Sequence, residues 1–354
     1  MNIKNICLSN AEKIYGNPLP SAVSERLDFE LSSIEYCRVE QYYTVAATLV
    51  ERSIRNGLPV LPRRGVASSF IAYLLGITEI NPLPAHYICE KCKHVSFSEE
   101  KDIFALDDKI CPSCGLPMKK DGYNIPVEFF MGYHGDKMPD VQLNFAGKYQ
   151  KNAVKHLKEI FGEDRVVYAD HEILSKIGYC YLCKYFVLPE NLKGTSFLEI
   201  TNNQQNAFLV ISILGHNIPT ILHNLHKATG IAPKSIPIDI KKLSQFMKKD
   251  EAICREELFD ILCSNGIEKN SAYTMTEFIR NGRFYGCNEE YIPKSVEIEN
   301  TLRQHNIPEE LISNLKNSRY LPFKAHVLSY ALQEYRINWY KEHYPKEFEK
   351  IPKD

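Results

Sequence analysis

Gly135-Asp-Lys-Met-Pro-Asp-Val-Gln-Leu-Asn-Phe-Ala-Gly-Lys-Tyr-Gln150 decides how the rest of the chain is read. Val141, Leu143 and Phe145 alternate with Gln142 and Asn144, and a period of two predicts a short strand with one apolar face. Asp140 and Gln142 lie two apart, so their side chains share the opposite face. Pro139 marks the start of the strand and Ala146-Gly147 its end. Lys148, Lys151, Lys155 and Lys158 then recur at steps of three and four, which places four ammonium groups along one face of a helix. Such a stripe suits phosphate contacts that read no bases, and it is equally the pattern of a solvated charged face.

Around this stretch lie 354 residues, 44% hydrophobic and 25% charged, enough for one large or two ordinary globular domains. The net charge is −1, so any nucleic-acid site has to be a local patch. Residues 1–10 contain no apolar run, which predicts no signal peptide, and the apolar run at 208–214 is too short to cross a membrane. Eleven cysteines without a secretion signal point to a reducing cytoplasm, and to metal or buried thiols rather than disulfides. Cys89-x-x-Cys92 and Cys111-x-x-Cys114 stand eighteen residues apart. Two such pairs supply four thiolates to one tetrahedral Zn²⁺, and a set with no open position is structural. Pro112 and Gly115 fit tight knuckle turns there. Cys180-x-x-Cys183 falls inside a segment read as helix (171–185), where a redox pair does not belong, so it reads as buried thiols.

Elsewhere the pattern predicts helices over 21–33, with Ser21 as N-cap, and over 40–55, stopped by Asn56-Gly57. Residues 60–70 read as a strand-to-helix turn, 165–169 as a strand, and 207–214 as a buried strand followed by a helix to about Thr229. Helices follow near 241–249, 256–263, 273–283, 297–305 and 308–318, and a long aromatic-rich one ends near His343.

The quoted stretch resembles the active-site strand of PolC-type bacterial replicative DNA polymerases, the C family, which carries Asp-x-Asp-Leu-Asn-Phe. The resemblance extends from about Tyr15 to Tyr344, through Tyr15-Gly-Asn-Pro-Leu-Pro20, the four cysteines, Ile213-Leu-Gly-His216 and Pro322-Phe-Lys-Ala-His326. It implies an α+β fold: a palm-like mixed sheet with a zinc-knuckle insertion and a helical, shortened fingers-like C-terminal region. Residues 1–85 and 123–238 would be palm-like, 86–122 the zinc-binding segment and 239–354 the fingers-like part. In the family two aspartates on this strand and a third before Ile-Leu-Gly-His hold the catalytic magnesium ions. The resemblance aligns Asp140 with the first, Gln142 with the second and Ser212 with the third. Where the family has a Gly-Ser-Arg-Gly-Ser-Val-Gly-Ser-Ser loop for the incoming triphosphate, this chain keeps Arg63, Ser68 and Ser69. Leu61, Pro62, Arg64 and Ala67 replace small residues there. The segment with a His-Pro-Gly-Gly motif, and most of the fingers insertion after Pro237, have no counterpart.

Two Mg²⁺ ions about 4 Å apart need anionic ligands to offset their repulsion, and one carboxylate does not supply them. The expectation is a catalytically inactive homologue with a structural zinc that binds DNA through Lys148, Lys151, Lys155 and Lys158. Arg63-Arg64, Lys119-Lys120, Arg280 and Arg283 would back that stripe. The alternatives are an interaction module that engages or mimics replication proteins, and a divergent active polymerase.

Overall fold

The computed structural model describes residues 2–169, 184–188, 209–247, 253–285 and 288–352. Helices α1 (Ile3–Tyr15), α2 (Ser21–Cys37) and α3 (Glu40–Arg55) lead to strand β1 (Leu61–Arg63), a 3₁₀ turn (Arg64–Ser68) and α4 (Phe70–Leu74). Strands β2 (His86–Ile88), β3 (Val95–Phe97) and β4 (Lys119–Asp121) form a small sheet around the cysteine pairs. After α5 (Glu128–Met131) come β5 (Val141–Ala146), α6 (Gln150–Phe161), β6 (Val166–Ala169), β7 (Lys184–Val187) and β8 (Leu209–His216). The C-terminal part is helical: α7 (Asn217–Thr229), α8 (Ile240–Leu243), α9 (Arg255–Ser264), α10 (Lys269–Ile279), α11 (Ile292–Gln304), α12 (Glu309–Asn317), α13 (Lys324–His343) and α14 (Pro345–Glu349). No described helix is long and apolar enough to cross a membrane.

The main sheet has the order β1-β5-β8-β7-β6. Strands β5 and β8 run parallel and the other pairs antiparallel, so the sheet is mixed. Val141, Leu143 and Phe145 enter the core with Ile211, Ile213 and the inner faces of α1 to α4. The strand's polar face is buried as well. Gln142 and Asn144 are 1% and 0% exposed, because α13 packs across β1 and the turn after it, and Asn144 Nδ2 donates to Tyr330 Oη at 3.1 Å.

The buried face of α2 is Val23, Leu27, Glu30, Ser33 and Ile34, so a glutamate occupies an apolar register. Its carboxylate is fully buried and accepts from Ser69 Oγ (2.6 Å), the amides of Phe70 (2.9 Å) and Ile71 (3.1 Å), and Arg26 Nε (2.6 Å). Arg26 in turn donates to the carbonyls of Ile125 and Ser68. This network fixes the turn after β1 against α2. Glu30→Ala strands a guanidinium and two amides, at an expected cost of about 3–5 kcal/mol. Denaturant unfolding is the check, and a loss below about 1 kcal/mol would mean that water or another group replaces the carboxylate.

Several boundaries differ from the sequence pattern. Lys184 and Tyr185 belong to β7 and not to the end of a helix, while the rest of that segment, with Cys180 and Cys183, lies outside the described residues. Helix α1 buries Ile3, Cys7, Ala11 and Tyr15 at steps of four, and Asn2 caps it by accepting from the Asn5 amide. Pro20, not Ser21, is the N-cap of α2, which runs on to Cys37. Strand β8 continues through Gly215-His216. Helix α10 begins at Lys269, earlier than its apolar pattern, because the Glu268 carboxylate caps the amides of Asn270 and Ser271. Helix α11 likewise begins at Ile292. Helix α8 stops at Leu243 and passes into a 3₁₀ turn (Ser244–Phe246), instead of running on toward 249.

Candidate functional site

Two knuckles of the same design carry the thiols. Cys89 follows β2, its amide donates to the His94 carbonyl, and the Lys93 amide returns to the Cys89 carbonyl. In the second knuckle the Cys111 amide donates to Leu116 and the Gly115 amide to Cys111. The residue after the second cysteine is left-handed in both, Lys93 at φ +60° and Gly115 at φ +72°. The four sulfurs lie within 4.8 Å of one another, with Cys89–Cys114 at 3.4 Å and Cys92–Cys111 at 3.5 Å. Tetrahedral Zn²⁺ with bonds of ~2.3 Å needs sulfurs roughly 3.8 Å apart, so the donor set fits one zinc ion. The amide of Cys92 draws the Cys89 thiol down to about 6 against its desolvation, whereas, against the pull of the His94 amide, desolvation and the neighbouring thiols push Cys92 up to about 12. Cys89 and Cys111 are buried, Cys114 is partly so and Cys92 is exposed, and four thiolates fill the coordination of a tetrahedral ion.

The second centre is built by strand register. Antiparallel pairing sets Arg63 opposite Gln142, and parallel pairing sets Gln142 opposite Ser212. Pairing of Tyr185 with Ile211 brings Lys184 next in line, beside Ser212. One row of side chains therefore crosses four strands: Arg63, Gln142, Ser212, Lys184. Asp140 stands just before β5 with 41% of its side chain exposed. Gln142 Nε2 donates to Asp140 Oδ2 at 2.7 Å, Arg64 Nη1 lies 3.7 Å from the same oxygen, and Lys184 Nζ lies 3.9 Å from the other. Gln142 Oε1, Ser212 Oγ and Arg63 Nε have no hydrogen-bond partner among the described residues.

Arg64 is left-handed, φ +53°, at the position where the resemblance has a glycine. The turn thus keeps a backbone that glycine adopts freely and adds a side chain, and that side chain reaches Asp140. Of the remaining loop residues, Ser69 caps α4 through the Ala72 amide and donates to Glu30, while Ser68 is buried with its hydroxyl unpartnered. Only Arg63 of the three joins the row.

Around the row the structure adds residues that the sequence pattern did not assign. Tyr330 Oη meets Asn144 Nδ2 at 3.1 Å and His216 Nε2 at 3.2 Å, and the His326 ring packs edge-on against Tyr330 at 4.7 Å. Burial, followed by the nearby Arg63 and Arg64, holds His326 down to about 4, so it is neutral at pH 7. Among the described residues the four cysteines are the sole converging group of three or more His, Cys, Asp or Glu side chains. The row offers one carboxylate, already bonded to an amide and flanked by two cations. That donor set does not fit a pair of magnesium ions.

Lys151 and Lys155 project outward from α6, whose inner face is Ala153 and Leu157; Lys148 is exposed in the 3₁₀ turn (Gly147–Tyr149) before the helix. Lys158 is partly buried and paired with Glu163 at 2.7 Å. The other basic groups are engaged: Lys120 with Asp108, Lys119 with Asp121, Arg280 with Glu277, and Arg283 against the Tyr291 ring.

The family model for the bacterial DNA polymerase III alpha NTPase domain matches residues 1–172. The PolC-type DNA polymerase III of Caldanaerobacter subterraneus subsp. tengcongensis is 28% identical over 98% of this chain and 33% of its own length. That of Thermotoga maritima is also 28% identical, over 98% of this chain and 34% of its own, and one from Staphylococcus aureus is 27% identical over 97% and 32%. The chain thus spans about a third of the length of the curated relatives it matches. The first alignment runs over 474 positions against 354 residues, so the relatives contain stretches that this chain lacks. Over nearly its whole length the chain is thus similar to one part of PolC-type DNA polymerase III, and its first 172 residues match the alpha NTPase-domain model.

Proposed function

We propose that this PolC-like protein has given up nucleotidyl transfer and serves as a nucleic-acid-binding protein with a structural zinc. On this reading Gln142 and Ser212 stand where two metal-binding aspartates belong, residues 1–85 and 123–238 are the palm-like part, 86–122 the zinc segment and 239–354 a shortened fingers-like part. The observation that carries the reading is the surroundings of Asp140: an amide at 2.7 Å and two cations within 4 Å surround the carboxylate. A dication brought there meets like charge on two sides, and a single carboxylate does not outweigh it. Incubation with primer-template DNA, nucleotides and Mg²⁺ or Mn²⁺ tests the first half, and templated extension by the parent chain would overturn it.

DNA binding tests the second half. Lys148, Lys151 and Lys155 give an exposed basic track on an otherwise neutral chain, and the partner with matching periodic charge is a nucleic-acid backbone. Lys151→Glu with Lys155→Glu is expected to weaken binding about equally across sequences and to flatten the plot of log affinity against log salt by roughly one unit for each phosphate no longer neutralised. Unchanged affinity in the double variant would reduce the track to a solvated face.

A further inference from the structure

The N-terminus of α9 carries two adjacent charged side chains that are fully buried, Arg255 and Glu256, each 0% exposed. Both engage the segment that leads into α13. The Arg255 amide donates to the Pro322 carbonyl at 3.1 Å, and Arg255 Nη2 to the Leu321 carbonyl at 2.6 Å. The guanidinium lies 3.7 Å from the centre of the Phe323 ring. Glu256 Oε2 accepts from the Lys324 amide at 2.8 Å, which caps α13; the N-cap residue there, Phe323, makes no side-chain cap of its own. The joint is nonetheless incomplete, since Glu256 Oε1, Arg255 Nε and Arg255 Nη1 have no hydrogen-bond partner among the described residues. The turn that Glu256 caps carries His326, whose ring packs against Tyr330, and Tyr330 in turn meets Asn144 and His216 beside the Asp140 row.

We propose that Glu256 is a pH-set clasp on the first turn of α13: neutral, it holds the turn closed, and ionised, it leaves the joint for water and the turn opens. The direction follows from the unmet atoms. A carboxylate with one bare oxygen is costly inside the protein, and opening hydrates that oxygen together with the two orphan N–H groups of Arg255. Burial accordingly pushes the Glu256 carboxyl up to about 7, against the pull of Arg255, the Lys324 amide and the Lys324 ammonium. Around Glu256 stand Arg255 and Cys254 on its own helix and Lys324 on α13. Arg255 is faced by Tyr320 and by Arg280 and Glu277 of α10, and Lys324 by Asp260 of α9. Burial, with Glu257 and Glu256 beside it, pushes the Cys254 thiol up, so it stays neutral. Burial raises Asp260 as well, and Asn124 Nδ2 donates to it at 3.3 Å. A carboxyl raised from the hydrated range near 4 favours the closed turn in full below pH ~4, and that contribution is lost as pH rises through 7.

Amide hydrogen exchange on the zinc-loaded full chain reads this opening directly, in peptides covering the start of α13, with peptides of β5 and β8 as reference. Rates are corrected for base catalysis of intrinsic exchange. From about pH 5.5 to about pH 8.5 the opening constant of the first turn is expected to rise about thirtyfold in the parent. In Glu256→Gln, whose side chain imitates the neutral carboxyl and still accepts from the Lys324 amide, the rise is expected to stay below about threefold. Asp260→Asn is expected to keep the thirtyfold rise, and β5 and β8 to behave alike in all three proteins. Zinc content and a thermal melt verify that each variant folds. A parent without the rise overturns the inference whether or not the variants fold. An equal rise in Glu256→Gln, or loss of the rise in Asp260→Asn, overturns it as well, because the titrating group is then not Glu256.

Discussion

Freshly purified chain is expected to contain one zinc per molecule, and Cys111→Ser is expected to lower its melting temperature by on the order of 10 °C or more, with a matching loss of metal. The small sheet that carries the knuckles has three strands of three residues each, too few hydrogen bonds and side chains to persist alone. Its stability must come from the metal and from what the segment packs against. Tyr87, Cys89, Ile103, Leu106, Cys111 and Met118 share one apolar cluster with Leu222 and Leu225 of α7 and with Leu328 and Leu332 of α13. Losing the ion therefore loosens the face of α13 that lies over β1, and the damage reaches the row around Asp140. Zinc binding drives folding by about 10–16 kcal/mol in isolated zinc-finger peptides, so even part of that coupling dominates a fold of ordinary stability. Metal analysis and melting curves on parent and variant decide the matter. Folded parent without zinc, or a variant that melts with the parent, would refute a structural metal.

The parts of this molecule visible in the sequence are those encoded by short spacing. The β5 strand, the convergence of the two Cys-x-x-Cys pairs and the placing of Lys151, Lys155 and Lys158 on one helix depend on short spacing and recur in the structure, whereas Lys148 precedes the helix, Lys158 is paired with Glu163 and both faces of β5 are buried. What escaped the sequence depends on register between distant strands. Nothing local to Lys184 says that it stands beside Ser212; its neighbours look helical, and only the pairing of β7 with β8 settles its place. The burial of Gln142 and Asn144 is likewise a decision of α13, almost two hundred residues away. Glu30 left one local trace, a carboxylate in the apolar register of α2 with an arginine four residues before it. Such a glutamate reads as an interruption of the stripe until the amides of Phe70 and Ile71 show what it caps.

Gln142→Asp with Ser212→Asp, which returns two carboxylates to the row, is expected to yield no polymerase. Catalysis of nucleotidyl transfer needs the triphosphate held in line as well as two ions, and positioning alone supplies several kcal/mol of rate, on the order of 7–11. Leu61 and Pro62 still form β1, and Arg64 still points at Asp140, so the loop that would hold the phosphates is unchanged. The new carboxyls would occupy positions that are 1% exposed and lie directly opposite each other in the parallel register. Burial and mutual repulsion raise their pKa values above the unfolded range near 4, while Lys184 and Arg64 offset part of this. Carboxyls raised in this way stabilise the fold below pH ~4, where they are neutral in both states, and that stability is lost as pH rises through the raised values. Without added metal the double variant should therefore match the parent near pH 4 and fall about 2–4 kcal/mol below it at pH 8, with Mg²⁺ returning part of the difference. Denaturant titrations at the two pH values, with primer extension on both proteins beside a working PolC-type enzyme, give the measurement. Equal stability at pH 8 would mean that the row already tolerates three carboxylates. Templated extension by the double variant would mean that the altered loop still positions a nucleotide and that chemistry was lost through these two side chains alone.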